Sequence, residues 1–295
     1  MTLHLRDLTV LAAFLIAACI PWPDQASAQS WPNEPSGATV HNDYNWGSVP
    51  GGGWLCAFGC GSIATDSTAP HSPSSVLRFT LNTTTHVGGG DPYFDHPDST
   101  EIYHAYWLKA SNPFQSIGNA VNKISFSWLE NRDGQWIVFL SGNPYSNGPY
   151  SIAVLLEVGG SGTVVNNCHL GGWGDCPGSY NVYANAGNSG FSLGVWHRIE
   201  LYGKASSTTS SRDGILKVWL DGNLILNYTQ VNTPGRKFSE LQFTPTWDGG
   251  GALFDVTNTN TWSFDHVHVS SPNGSGGNTK GDTTPPASPV NLRAN

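Results

Sequence analysis

An all-β domain, sandwich or barrel, is the fold class this sequence predicts. Three observations predict it. Charged residues make up only 12% of the 295, against 35 glycines, 19 prolines and 12 tryptophans. That mix suits short strands joined by tight turns better than helices, which favour Glu, Lys, Ala and Leu. Apolar residues then recur with a period of two in run after run, the signature of strands with one buried face. Finally, no segment carries a long amphipathic helical pattern, and Gly, Asn and Pro punctuate the runs. With 38% apolar residues, a chain of this length can still bury a sizeable core.

The elements follow in order. Residues 1–28 read as a signal peptide: Arg6 precedes the apolar run Leu8 to Ile20, and Ala26-Ser27-Ala28 offers a small-residue cleavage site before Gln29. The run is short and soon ended by Pro21 and Pro23, so it does not read as a membrane span. The rival reading is a lipoprotein signal, Ile16 to Cys19, with a lipid anchor on Cys19. Both predict export, to the medium, the periplasm or the cell surface. Residues 29–271 form the expected domain. Its first part, 31–75, is rich in Pro, Gly and Ser, with Trp46 and Trp54 as anchors.

Strand-like runs come next. Ser75 to Leu81 sets Leu77, Phe79 and Leu81 against Val76, Arg78 and Thr80; Glu101 to Ala110 is aromatic throughout; and Asn122 to Glu130 sets Ile124, Phe126 and Trp128 against Ser125 and Ser127. Residues 135–142 and 150–160 are almost continuously apolar, as expected of strands covered on both faces. In Gly194 to Lys204, Val195, Ile199 and Leu201 point one way, and Trp196, Arg198, Glu200, Tyr202 and Lys204 the other. Residues 214–229 read as a hairpin turning at Asp221-Gly222, with Leu216, Val218 and Leu220 opposed to Lys217 and Trp219. In 261–270, counting by twos groups Asp265, Val267 and Val269 on one face and Trp262, Phe264, His266 and His268 on the other. Residues 272–295 turn Gly/Ser-rich and then Pro-rich, a flexible tail.

Charge and cysteines narrow the partners. The net charge is −8, and about −7 once residues 1–28 are removed. An acidic chain argues against nucleic acid, whose phosphates need a basic face. After the signal, Cys56, Cys60, Cys168 and Cys176 remain; in an exported chain they favour local disulfides, Cys56–Cys60 and Cys168–Cys176. Zinc is the alternative, but neither spacing is CxxC.

Some of these pieces look familiar. Trp196-His197-Arg198 entering a strand, the Asp221-Gly222 hairpin and a closing strand around Phe264-Asp265 resemble the concanavalin A-like lectin/glucanase superfamily. The run "EIYHAYWLKAS" resembles the YxxYWxK strand of secreted polysaccharide lyases of the heparin-lyase-like and alginate-lyase-like kind. The resemblance spans residues 35–271 and implies a two-sheet jelly roll whose concave sheet holds a glycan. It also makes Asp265 a candidate ligand for a structural calcium ion, with no other cofactor required. The R-S-E-L-R and Q-I-H signatures of alginate lyases are absent, as is the ExDxxE strand of the β-glucanases.

The resemblance implies a polysaccharide partner, with a uronate lyase as the first function. Such an enzyme must neutralise a carboxylate, remove a proton from carbon and protonate a leaving oxygen. The expected groove is lined by Arg198, Tyr202, His266 and His268, with His104 and Tyr106 nearby as acid–base groups. Trp196, Trp219, Lys204 and Glu200 are the expected sugar-binding residues. A non-catalytic carbohydrate-binding module or adhesin is the alternative, and a glycoside hydrolase, which needs two paired carboxylates, comes after it. The convergence requires the strands carrying Arg198 and His266 to lie in one sheet.

Overall fold

The structure is a computed structural model. It describes residues 31–81, 90–114, 122–142, 150–158, 181–183, 190–233, 235–245 and 259–272. Residues 32–295 form one compact unit; of the other unit, 1–31, only Trp31 is described. The signal segment, the tail beyond Ser271-Pro272 and the Cys168–Cys176 pair lie outside the described residues. No helix among the described residues is long and apolar enough to cross a membrane.

None of the described residues is α-helical, and they are dominated by strands. In chain order these are β1 (Thr39–Tyr44), β2 (Leu55–Cys60), β3 (Ser62–Ala64), β4 (Val76–Thr80), β5 (Gly90–Ser99), β6 (Glu101–Ala110), β7 (Asn122–Leu129), β8 (Gly134–Gly142), β9 (Tyr150–Val158), β10 (Asn181–Tyr183), β11 (His197–Lys204), β12 (Gly214–Leu220), β13 (Asn223–Val231), β14 (Phe238–Phe243) and β15 (Thr261–Ser271). A single 3-10 turn, Glu130–Arg132, follows β7. Sheet I runs β13-β12-β11-β6-β15-β4-β3, with β1 also paired to β15; sheet II runs β10-β9-β8-β7-β14-β5-β2. Two antiparallel sheets face to face make the expected jelly-roll sandwich.

The core forms where the period-two faces meet. Ile199 and Leu201 of β11, and Leu216, Val218 and Leu220 of β12, pack against Ile124, Trp136, Val138, Leu140, Leu241 and Phe243 of sheet II. Phe243 and Phe264 meet across the sandwich with centroids 4.3 Å apart. Each such side chain contributes about 1.5–3 kcal/mol on burial. Strand β8 is covered on both faces, as its continuous apolar run predicts: Trp136, Val138 and Leu140 enter the main core, while Ile137 and Phe139 join Phe126 and Ala153 in a second cluster. The β12–β13 turn is the expected two-residue one, with Leu220 paired to Asn223 and Asp221 and Gly222 at φ +52° and +84°. That is the left-handed pair of a type I′ turn.

Two expectations are corrected. Val195 is half exposed, because it precedes β11 rather than lying in it. In β15 the register slips between Asp265 and Val267, with His266 at φ +47° as the extra residue. A bulge of this kind reverses the alternation. Trp262 and Phe264 therefore enter the core together with Val267 and Val269. Asp265 instead accepts hydrogen bonds from the backbone N–H groups of His71 (2.7 Å) and Ser72 (3.1 Å).

Candidate active site

Strands β11 and β15 do lie in one sheet, both flanking β6. On the outer face of sheet I, four of the expected residues come together. Glu200 is fully buried and accepts hydrogen bonds from Tyr103 Oη (2.5 Å), Arg198 Nε (2.8 Å), and Asn33 N (3.2 Å) and Nδ2 (3.1 Å). His268 bridges Asp43 (Nδ1, 3.3 Å) and Glu34 (Nε2, 2.9 Å), and His266 Nε2 meets Asp43 at 2.5 Å. Burial pushes the Asp43 carboxyl up, but its histidine partners outweigh burial and hold it well below the usual range. Burial likewise lowers the His268 imidazole, and its two carboxylates outweigh that and raise it. These groups answer one another, and Asn33 and Glu34 tie the segment before β1 onto the sheet. The arrangement is a clamp.

The other expected residues go elsewhere. Tyr202 donates to Glu101 (2.6 Å), which Lys204 also meets at 3.3 Å. Trp196 packs on Ala69 and Val76, and its indole N–H donates to Thr68 (3.2 Å). Trp219 is half-buried opposite Glu200. His104 and Tyr106 point into the sandwich, bonded to Ser127 (2.9 Å) and Ser125 (2.8 Å) of β7. Burial keeps both uncharged, lowering the His104 imidazole and raising the Tyr106 phenol. They are core groups that no glycan reaches. Asp265 does not fit an ion either: its oxygens serve backbone donors, and no cluster of three ligands exists among the described residues.

The outer face of sheet II has a different character. Antiparallel register sets Tyr93 of β5 beside Gln242 of β14, Gln242 beside Phe126 of β7, and Phe126 beside Ile137 of β8. The next row is Asp95, Glu240, Trp128 and Gln135. At about 4.8 Å per strand, each row of four spans about 14 Å. Above them sits Arg132, brought back over the sheet by the 3-10 turn, where Asn131 and Arg132 take φ +58° and +53°. For residues other than Gly such backbone is uncommon, and it occurs at sites whose side-chain placement matters.

Arg132 grips Glu240 with a fork, Nη2 to Oε1 at 2.7 Å and Nε to Oε2 at 3.1 Å, and lies 5.2 Å over Trp128 and 5.7 Å over Tyr93. Its Nη1 is not part of that pair. Phe126 and Trp128 stack with planes 12° apart, and the Trp128 indole donates to Gln242 Oε1 (2.6 Å). Burial pushes the Glu240 carboxyl up to about 7, Arg132 opposing and Asp95 reinforcing. Burial, with Asp95 and Glu240, also raises the Tyr93 phenol. One face thus brings together a cation whose Nη1 has no partner among the described residues, a carboxyl poised near neutrality, a phenol that holds its proton, and an aromatic stack in which Phe126 is buried and Trp128 half-buried. Those are the parts for binding a carboxylate and moving protons beside it.

This face carries little signal in the sequence. Glu240 and Gln242 alternate with the core residues Leu241 and Phe243, a short period-two signal that was there to read. Tyr93 lies between Pro92 and Pro97, which demote a strand when read from sequence. Arg132 reads as a turn residue, and only the fold returns it to the sheet.

Known structures share this architecture. An alginate lyase matches over 77% of this chain and 95% of its own, at 18% identity and TM-score 0.52. An alginate lyase from a Chlorella virus matches over 79% and 100%, at 12% identity and TM-score 0.52. An endo-β-1,4-glucuronan lyase from the fungus Trichoderma reesei matches over 79% and 96%, at 17% identity and TM-score 0.52. The chain has the jelly-roll fold of these polysaccharide lyases. No family model and no curated protein matches it.

Proposed function

We propose that this protein is an exported polysaccharide lyase that cleaves a uronate-containing glycan by β-elimination on the outer face of sheet II. The observation that carries the reading is the cluster of Arg132, Glu240 and Tyr93 above the Phe126–Trp128 stack. The free edge of Arg132 takes the uronate carboxylate and stabilises the charge that develops there. Glu240, ionised, removes the C5 proton. The C5–H electrons form the C4=C5 double bond, the C4–O bond breaks, and the Tyr93 phenol protonates the leaving oxygen. Glu240 then releases its proton to solvent and Tyr93 regains one. Trp128, the half-buried member of the aromatic stack, packs against the sugar ring.

Incubation with a panel of uronate polysaccharides tests this. The expected product carries an unsaturated uronate, seen as rising ultraviolet absorbance. New reducing ends without unsaturation mean hydrolysis instead, and binding without either product means a carbohydrate-binding module.

A further inference from the structure

The row that ends at Tyr93 continues by one more strand. Edge strand β2 sets Leu55 opposite Tyr93, with 48% of it exposed. Beyond Cys56 the ladder breaks and resumes only at Cys60, opposite Gly90. The residues between form a bulged loop within β2, closed by the Cys56–Cys60 disulfide.

This loop is held at several points. Asp91, two residues from Tyr93 and on the same face, is buried and accepts the Phe58 backbone N–H at 2.5 Å. Gly59 and Gly61 take φ +108° and +73°, and a Cβ at Gly90 would meet the backbone of Cys60 at 2.9 Å. Yet the Phe58 side chain, on this fixed backbone, is left 56% exposed, more than any other large apolar residue described. A lone exposed apolar residue needs no explanation. A rigidly mounted aromatic at the end of a binding row, with a second apolar residue beside it, does.

We infer that Phe58, with Leu55, is an outer sugar-stacking subsite. A glycan whose carboxylate reaches Arg132, over the buried Tyr93–Gln242–Phe126 row, leaves the sheet across β2. There the apolar face of a further pyranose ring rests on Phe58. The loop lies about one strand spacing, ~4.8 Å, across from Tyr93 and two residues, ~6.6 Å, along, so the subsite serves long chains and not the shortest ones. The inference rests on the lyase reading for the identity of the chain it binds.

The test compares Phe58→Ala, Phe58→Trp and a control, Ile63→Ala on the edge of sheet I, using uronate oligosaccharides of increasing length and the polymer. Both kcat/KM and affinity by calorimetry are read. Phe58→Ala is expected to lower both by about five- to ten-fold on long chains and to leave the shortest cleaved oligosaccharide unchanged. Phe58→Trp should restore the loss, and Ile63→Ala should behave as wild type. Equal behaviour of Phe58→Ala and wild type at every length, or an equal loss at every length, overturns the subsite while leaving the lyase reading intact. Length-dependent binding without cleavage supports the subsite and sinks the lyase reading. If wild type neither binds nor cleaves any uronan, both fall.

Discussion

At the scale of single residues, the proposed chemistry turns on one buried carboxyl. Glu240 lies 5% exposed beside Arg132, and burial raises it to about 7. If its ionised form takes the proton, kcat/KM rises with pH through about 7 and then levels until Tyr93 begins to ionise. Arg132→Gln removes the cation that favours the charged form, so the midpoint of that rise should move to higher pH, beyond any fall in maximal rate. A pH–rate profile of the two proteins checks this; an unmoved midpoint assigns the titration to another group. Arg198 and Glu200 show how far residue type alone can be read. The alternation placed them correctly on one outer face. What it could not show was Asn33, 167 positions away, donating three hydrogen bonds to Glu200 and making the cluster a fastening.

At the scale of elements, most strands were legible because each buried face repeats every second residue. Strand β15 shows where that fails. Thr261 to Ser271 contains no Gly or Pro to announce a bulge, yet the slip at His266 exchanges the faces halfway along. Strand β5 carries no sequence expectation at all: Pro92 and Pro97 interrupt its pattern, yet the sheet holds it between two neighbours. The Asp221-Gly222 turn was fully legible, because its backbone demands positive φ. Gly222→Ala places a Cβ at φ +84° and 3.2 Å from Arg198 Nη2. The expected cost is about 1 kcal/mol, or about 2–4 °C in thermal midpoint for a domain of this size. Calorimetry reads it; no change would mean that the turn relaxes freely.

At the scale of the whole molecule, buried histidines set the response to acid. Burial lowers His96 to about 4 and His104 well below its ordinary value, and lowers His41 and His71 as well. The unfolded chain takes up protons at these positions below about 6.5 that the folded chain refuses. Their stabilisation is therefore lost as pH falls from that value toward the folded ones. His268 and Glu240 work the other way. Both are raised, so their contribution is complete at low pH and is lost as pH rises, for Glu240 between 4.5 and about 7. Asp91, also raised by burial, sides with Glu240, so four histidines stand against two carboxyls across the acid range, and the thermal midpoint should fall between pH 6.5 and 4. A midpoint that is flat or rises toward acid would show that His96 and His104 are not held neutral in the sandwich.

The central claim is that sheet II, not sheet I, carries the chemistry. The most direct measurement is the rate of unsaturated product formation from the best uronate polysaccharide by wild type, Tyr93→Phe and Glu240→Gln, beside Arg198→Ala and His266→Ala, with thermal midpoints taken on all five. The account predicts that Tyr93→Phe and Glu240→Gln each lose about 100-fold or more while staying folded, and that Arg198→Ala and His266→Ala lose stability but, where folded, keep turning over. Full activity in Tyr93→Phe and Glu240→Gln, with loss in a folded Arg198→Ala or His266→Ala, would contradict it and move the site to the other sheet.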